Sequence, residues 1–457
     1  MLSVCHGTFA GMRAALVGCA IVAGWSAGCG GGGAAHTIDG GASDGASDGT
    51  SPNTTKITFT LNNVPGDIAA FAFVAAYQDG DGAWKPVPAR SRDTFAFDVS
   101  SATWGFAYTC QVNVRVAGVV TALGNVVEYH FAVAERTALT DDILARCTDR
   151  LSYVELSGNI SNRAPTGTYR VAYAGNAVFI DKATGNYDML VAPGTHDLLV
   201  LHGSNRNTAD DFLVDAAIVQ RDVVVNAAMA VPVDASTATP TPALAVSVSG
   251  AAPISSETTT NLFTGNGTAV ALAHLTKTPL ASTALAGSQP AGDVYDQRVT
   301  VELVAGQAVT TTTATAAPAA VSITAPAPLG AIATTSAATA PYPMFMSTWP
   351  SYAGAVGYTW TLAQTPPADR CSSSPSCTVT WTALVSPGAL AAMPAYTMPD
   401  LSRLPGWSAA LHFVAGTPAT GEVTAMTSSA GAIDFPPGPP VAGTSRVFAH
   451  STFTVTP

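Results

Sequence analysis

Charged side chains are scarce in this sequence of 457 residues, because Asp, Glu, Lys and Arg together make up 11% of it, against about 25% in a typical globular protein. From residue 301 onward there are only five acidic and three basic residues. General acid–base catalysis needs titratable groups held in a cleft, so this C-terminal part offers little for it. Abundant Ala, Thr, Ser, Gly and Pro favour short strands and turns over long helices.

Basic residues are the scarcer charged type, with 19 Lys and Arg against 30 Asp and Glu and a formal net charge of −11. Arg13 is the only charged residue before Cys29, so the chain from Cys29 onward carries 18 basic and 30 acidic residues. Proteins that bind nucleic acid neutralise its phosphates with clustered Lys and Arg. Nucleic acid is therefore not an expected partner.

Motifs that would carry catalysis or metal binding are also lacking. There is no His-Glu-x-x-His motif and no Gly-Lys-Thr phosphate loop. Asp79-Gly-Asp-Gly82 offers carboxylates, but it lacks the later ligand positions of a calcium loop, and Asp-Gly pairs are typical of hairpin turns. His196 and His202 flank a predicted strand near Asp210 and Asp211, and we interpret them as turn and surface residues. We expect no catalytic residue, no metal and no cofactor.

The N-terminal apolar run is short. It covers Ala14–Gly24, eleven residues, whereas a helix that crosses a bilayer needs roughly 20. Arg13 precedes the run and small residues follow it, which is the order of a secretory signal peptide. We therefore expect residues 1–28 to be a signal peptide. Met12 is a more usual start for such a peptide than Met1, and both starts remain open.

The signal segment ends in Ser26-Ala27-Gly28-Cys29, which resembles the lipobox of bacterial lipoproteins. In that family the cysteine receives diacylglycerol, the peptide is cut before it, and the new N-terminus is acylated. The resemblance implies a lipid (palmitate-type) anchor on Cys29, with the membrane as a partner and the outer membrane of the cell envelope as the location. The first position departs from the pattern, since the family usually has Leu there. Leu16-Val17-Gly18-Cys19 fits the box, but too little apolar sequence precedes it for export. Simple cleavage without lipid, or a membrane helix, is the remaining alternative.

A tether and four folded blocks follow the signal peptide. Residues 29–55 are rich in Gly, Ser and Asp, which predicts a flexible tether. Alternating segments such as Lys56–Leu61, separated by turn residues, predict strands of β-sandwiches. The expected fold class is all-β, with tandem small sandwiches of the Ig-like or transthyretin-like kind. The predicted blocks are 56–150, 151–236, 237–320 and 321–457, the third ending in a Thr- and Ala-rich linker at 310–320.

Two of the blocks resemble known domain families. Gly158-Asn-Ile160, Gly185-Asn-Tyr187 and Ala192-Pro-Gly-Thr-His196 are similar to the opening strand, middle strand and turn of the carboxypeptidase regulatory-like domain, over about 152–234. His196 stands where that family has an aromatic residue. The Trp349 strand, the Tyr-x-Trp of Gly357–Leu362 and a Leu-bearing corner resemble fibronectin type III domains, over about 321–457. Both resemblances imply small β-sandwiches.

Four of the seven cysteines remain after Cys5, Cys19 and Cys29 are assigned to the N-terminal segment. They are Cys110, Cys147, Cys371 and Cys377. An even number in an exported chain predicts disulfides, and four cysteines allow three pairings. Proximity within a block favours Cys110–Cys147 and Cys371–Cys377.

Two functions remain after these exclusions. The first is a membrane-anchored, non-enzymatic lipoprotein, structural or adhesive, that presents β-sandwich modules at the cell envelope. The second is a carbohydrate-binding lipoprotein, or an accessory to a polysaccharide system, with a surface glycan or protein as partner. Four tryptophans are candidates to stack on sugars, although such residues more often lie in the core: Trp84, Trp104, Trp349 and Trp407.

Overall fold

We describe a computed structural model of the chain, which covers residues 54–62, 74–90, 93–116, 119–142, 153–205, 211–250, 252–286, 290, 292–367, 376–390, 394–431 and 435–457. The expected signal peptide and tether lie outside these residues. The described part contains 31 β-strands, three 3-10 turns and no α-helix, which confirms the all-β fold class. No helix within these ranges is long and apolar enough to cross a membrane. The 3-10 turns are Ala235–Thr237, Pro387–Ala389 and Ala409–Leu411.

The first eight strands form a sandwich with an aromatic core. One sheet has the order β4-β5-β1-β8, and it faces β3, β2, β6 and β7. Inward positions alternate along each strand, and Phe59 stacks on Phe106 with ring centroids 4.0 Å apart. The strands are β1 (Thr55–Asn62), β2 (Val74–Asp79), β3 (Lys85–Pro86), β4 (Ala89–Arg90), β5 (Thr94–Val99), β6 (Thr103–Val116), β7 (Val119–Ala132) and β8 (Ala138–Asp142).

The next eight strands form a second sandwich. A sheet of β12, β9, β15 and β16 faces the sheet β11-β10-β13-β14, and Leu156, Val171 and Val200 lie in the core between them. Gly185, at the start of the Gly-x-Tyr motif, has φ +80°, a conformation that glycine adopts without strain. The strands are β9 (Val154–Ser161), β10 (Thr168–Tyr173), β11 (Asn176–Phe179), β12 (Asn186–Val191), β13 (Gly194–Asn205), β14 (Phe212–Val225), β15 (Met229–Ala230) and β16 (Val233–Asp234).

The third group of strands packs a small sheet, β21-β18-β24, against β20, β19 and β22. The expected linker at 310–320 is partly wrong, because Thr310–Thr315 belong to β23, which pairs with strands on both sides. Threonine is β-branched and favours strands, so the Thr run extends the sheet. The strands are β17 (Thr239–Pro240), β18 (Ala243–Ser249), β19 (Ser255–Phe263), β20 (Ala269–Leu275), β21 (Ala281–Thr283), β22 (Val294–Val304), β23 (Gln307–Thr315) and β24 (Val321–Thr324).

The last strands complete a sheet of order β31-β30-β27-β28, which is covered by the small sheet β25-β26-β29. Trp360 and Trp381 are fully buried between the two sheets. The strands are β25 (Ala333–Ala338), β26 (Met344–Thr348), β27 (Gly357–Gln364), β28 (Ser376–Val385), β29 (Ala395–Thr397), β30 (Ala419–Ser428) and β31 (Ser445–Val455).

Strand pairing continues from one group to the next. β14 pairs with β20, and β23 pairs with β31. β28 pairs in parallel with β7 over ten residue pairs, from Ser376 opposite Thr121 to Val385 opposite His130. The first and last groups of strands are thus hydrogen-bonded neighbours, and β7 is buried on both faces. Val127 and Tyr129 point into the first sandwich, while Val126 lies in the core around Trp381.

Candidate functional site

A buried carboxylate lies where the first and last groups of strands join. Glu128 is fully buried on β7, and the register places it between two small residues, Ala107 on β6 and Ala383 on β28. Because both paired residues are alanines, large side chains from elsewhere have room to reach Glu128 on this face of the sheet. The Trp381 indole N–H and the Tyr396 hydroxyl both donate to Oε1 of Glu128, and the Tyr396 oxygen lies 2.9 Å from it.

His130, two residues further along the same strand face, contacts the second oxygen of this carboxylate. Its Nε2 lies 2.9 Å from Oε2 of Glu128, and its side chain is 21% exposed. Burial raises the pKa of Tyr396 well above its ordinary value, and the Glu128 charge raises it further. The phenol therefore keeps its proton and remains a donor. Donors from the chain itself thus contact both oxygens of Glu128, and we name this group the Glu128 cluster.

An aromatic surface extends outward from the Glu128 cluster. The rings of Trp84 and Tyr396 each approach His130 edge-on, with centroids 5.9 Å away. Trp407 donates from Nε1 to Nε2 of His412 at 2.8 Å. Trp84 and Trp407 are both partly exposed, and both also pack against the core that contains Trp381.

The two partly exposed indoles have different neighbours. A Cβ on Gly105 would come within 3.1 Å of the Trp84 ring and 3.3 Å of Gln78, so Trp84 lies over β6 beside β2. Trp407 instead stacks on Tyr342 and lies beside Trp381, with ring centroids 6.0 Å away in both cases.

The other two candidate tryptophans belong to the core. Trp104 is 1% exposed and donates from Nε1 to the Arg136 carbonyl oxygen at 2.7 Å. Trp349 is 2% exposed and packs against Tyr358. Neither ring is accessible for stacking on a ligand.

A second polar network joins the second and third groups of strands. Arg221 on β14 bridges two buried carboxylates, with Nη1 2.6 Å from Asp197 Oδ2 and Nη2 2.8 Å from Asp293 Oδ2. Asn266 and the backbone N–H of Asp222 donate to Asp197 Oδ1 at 2.9 and 3.1 Å. We name this group the Arg221 network.

The hydrogen bonds of this network decide the ionisation of Asp197. Burial by itself raises the pKa of this carboxyl group, but hydrogen bonds from Asn266, Arg221 and the Asp222 backbone outweigh it and leave the pKa below its ordinary value. Arg221 supplies the positive charge between the two carboxylates.

The two histidines that flank the predicted strand, His196 and His202, contact different partners. His196 Nδ1 lies 2.8 Å from the Asn266 carbonyl oxygen, while His202 contacts Asp215 at 2.5 Å. Asp211 instead accepts from the Thr276 hydroxyl at 2.8 Å. Within the described ranges no three His, Cys, Asp or Glu residues are grouped as metal ligands.

Asp79, the first carboxylate of the Asp79–Gly82 segment, is the last residue of β2, and the expected turn follows it. Its carboxylate accepts the backbone N–H groups of Ser100 and Ser101 at 3.0 and 2.8 Å. Burial opposes ionisation, yet hydrogen bonds from these serines prevail and lower the pKa of Asp79 to about 2. The carboxylate therefore closes a loop of its own domain.

The predicted covalent sites fall mostly outside the described residues. Cys29, Cys147 and Cys371 lie outside them, and the position of the Cys110 side chain is not described. Cys377 is buried near the start of β28. The lipid anchor and both disulfide pairings therefore stay predictions.

Sequence reasoning missed both polar networks. The signal for the first one is present, because Val126-Val-Glu-Tyr-His-Phe131 puts a carboxylate at an alternate position of an apolar strand, where burial requires partners. Nothing in the sequence identifies those partners, since Trp381 and Tyr396 lie more than 250 residues away.

Comparison with known proteins adds little. No protein-family model matches the chain, and no curated protein matches it. Among solved structures, it is similar to a DUF3823 family protein from Bacteroides ovatus ATCC 8483, with 14% sequence identity, coverage of 33% of this chain and 90% of that chain, and a TM-score of 0.12. A score this low carries no argument, so function is argued from the site geometry alone.

Proposed function

We propose that this chain is a lipid-anchored, non-enzymatic protein that presents rigid β-sandwich modules at the cell envelope. The observation that carries the proposal is the use of its buried carboxylates. Glu128, Asp197 and Asp293 are each held by donors of the chain itself. A general base must reach a substrate proton, whereas these groups connect one set of strands to the next.

Continuous strand pairing supports the same proposal. The hydrogen-bonded β7–β28 and β23–β31 pairs join strands far apart in sequence, and such pairing resists relative motion of the modules more than flexible linkers would. A rigid, lipid-anchored support is useful for holding a contact surface away from a membrane. The acidic, lysine-poor composition is consistent with contact to proteins or neutral glycans rather than to nucleic acid.

The test is an activity screen of the full chain together with a membrane-release assay. We expect no turnover on glycosidase, esterase and peptidase substrate panels, and release of the protein from the membrane fraction by Cys29→Ser. Turnover that is lost on substitution of a single Asp, Glu or His would refute the non-enzymatic proposal. Membrane retention of Cys29→Ser would refute the anchor.

A second candidate function is carbohydrate binding, favoured by Trp84 and Trp407. Aromatic rings with an exposed surface stack on the apolar faces of sugars, and tryptophan offers the largest ring. Trp84 lies beside Gly105 and Trp407 beside Tyr342, so the two rings would make separate contacts with one oligosaccharide. His130 and His412 supply polar groups beside the two indoles.

A glycan array of the full chain tests this function. We expect binding of an oligosaccharide that falls about tenfold in Trp84→Ala and in Trp407→Ala, the loss of one stacking contact of about 1.4 kcal/mol. Tyr153→Ala, which removes a 37% exposed ring elsewhere, is the matched control. Equal binding by all three variants would refute the assignment.

A further inference from the structure

The Arg170 guanidinium has no carboxylate partner among the described residues. It lies on β10, opposite Phe179 of the edge strand β11, and it makes one hydrogen bond, from Nη1 to the Ala271 carbonyl oxygen at 3.5 Å. This distance is at the long limit for a hydrogen bond. Arg221 and Arg298, in contrast, each contact a buried aspartate. Most of the N–H donors of Arg170 are therefore left for another acceptor.

Two phenyl rings hold this guanidinium in a corner. Its Cζ lies 4.7 Å from the ring centroid of Phe179 and 4.8 Å from that of Phe212. The two rings are 6.3 Å apart and nearly perpendicular, at 82°. Cation–π contacts of this kind fix the position of the guanidinium without using its N–H groups. Phe212 is 3% exposed and Phe179 is 54% exposed, so the corner is closed on one side and open on the other.

None of the Arg170 nitrogens is among the described buried polar atoms that lack a partner, so those without a hydrogen bond keep contact with solvent. Burial of the side chain disfavours its charged form and lowers the pKa of Arg170. A partly buried charge without a counter-ion is costly, and an oxyanion at the open side would relieve that cost.

We propose that Arg170 and Phe179 form a binding site for the carboxylate group of an acidic sugar. The planar guanidinium matches a carboxylate with two parallel hydrogen bonds. The exposed Phe179 ring lies on a strand that pairs only with β10 among the described strands, and it offers an apolar surface for the C–H groups of the sugar ring. A free phosphate would use the guanidinium but not the ring. This site is separate from Trp84 and Trp407, so its test stands apart from the one above.

Saturation-transfer difference NMR of the full chain in detergent micelles tests the site. The probes are D-glucuronate, D-glucose as its uncharged counterpart, and inorganic phosphate as competitor. We expect saturation of glucuronate but not of glucose, and about a ten- to hundredfold weaker affinity for glucuronate in Arg170→Gln, the loss of a charge-assisted pair. Phe179→Ala should weaken glucuronate binding less and leave phosphate binding unchanged.

Arg163→Gln is the matched control, because Arg163 lies on the same sandwich and donates only to the Lys182 and Ala183 carbonyl oxygens. Arg170→Lys keeps the positive charge but loses the planar guanidinium. If this variant binds glucuronate more weakly than the wild type does and has the same melting temperature, the proposal is supported even if Arg170→Gln fails to fold. Glucuronate saturation that is absent, or equal in Arg170→Lys and wild type, overturns it. Complete displacement by equimolar phosphate also overturns it, since the site would then take a free oxyanion.

Discussion

Removal of the guanidinium from the Arg221 network should destabilise the junction between the second and third groups of strands. In Arg221→Met the apolar stem is kept while the Asp197 and Asp293 side chains, 0% and 1% exposed, lose their counter-charge. Breaking one partner of a buried ion pair costs about 3–5 kcal/mol. Because Asn266 and the backbone still donate to Asp197, we expect the lower end, about 3 kcal/mol.

The effect should depend on pH with a defined sign. In the wild type the pKa of Asp197 lies below its ordinary value, so its contribution is present above the unfolded pKa of about 3.9 and is lost as pH falls through the folded pKa. In Arg221→Met the buried carboxylates are penalised only while they are charged. The difference in unfolding free energy should therefore be complete at pH 7 and should shrink as pH falls, first as the carboxylates of the variant take up protons and then, below about pH 4, as Asp197 of the wild type does.

Urea unfolding followed by circular dichroism, with hydrogen exchange of peptides from β13, β14 and β19, measures this difference. Arg163→Met is the control, because this half-buried arginine donates to two backbone carbonyl oxygens and to no buried carboxylate, so its substitution should cost only about 1 kcal/mol. Adding Asp197→Asn and Asp293→Asn to Arg221→Met should restore part of the loss. A difference below about 1 kcal/mol at pH 7, or one that stays constant down to pH 3.5, would refute the reasoning.

Three further predictions concern other sites. Metabolic labelling with a palmitate analogue should mark the wild type and not Cys29→Ser, and persistent labelling would mean that another residue carries the lipid. Non-reducing peptide mapping should find Cys110 joined to Cys147. This bond would close a loop of about 37 residues and stabilise the fold by about 2–4 kcal/mol. A cross-link from Cys110 or Cys147 to the C-terminal half would contradict it. Glu128→Leu should lower the unfolding free energy by about 2–3 kcal/mol, because the buried Trp381 N–H loses its acceptor. Glu128→Gln keeps one acceptor oxygen, so it should lower the unfolding free energy less in the same urea titration.

The sequence by itself determined the all-β class of the described residues. Alternating segments such as Lys56–Leu61, with Gly and Asp at the turns, became strands because side chains on a strand point to opposite faces every second residue. The Asp79–Gly82 turn followed from local backbone chemistry in the same way. The Thr run at 310–315 does not reveal its strand in this way, because its sequence carries no polar–apolar alternation.

The tertiary structure alone decided which strands became neighbours and which polar groups met. The β7–β28 pair brings Glu128 to Trp381 across more than 250 residues, and no local pattern specifies a partner at such a distance. The corner around Arg170 likewise depends on Phe212 reaching it from another strand. Secondary structure follows from local periodicity, whereas a site forms where distant segments pack, and packing is selected by the burial of the whole core.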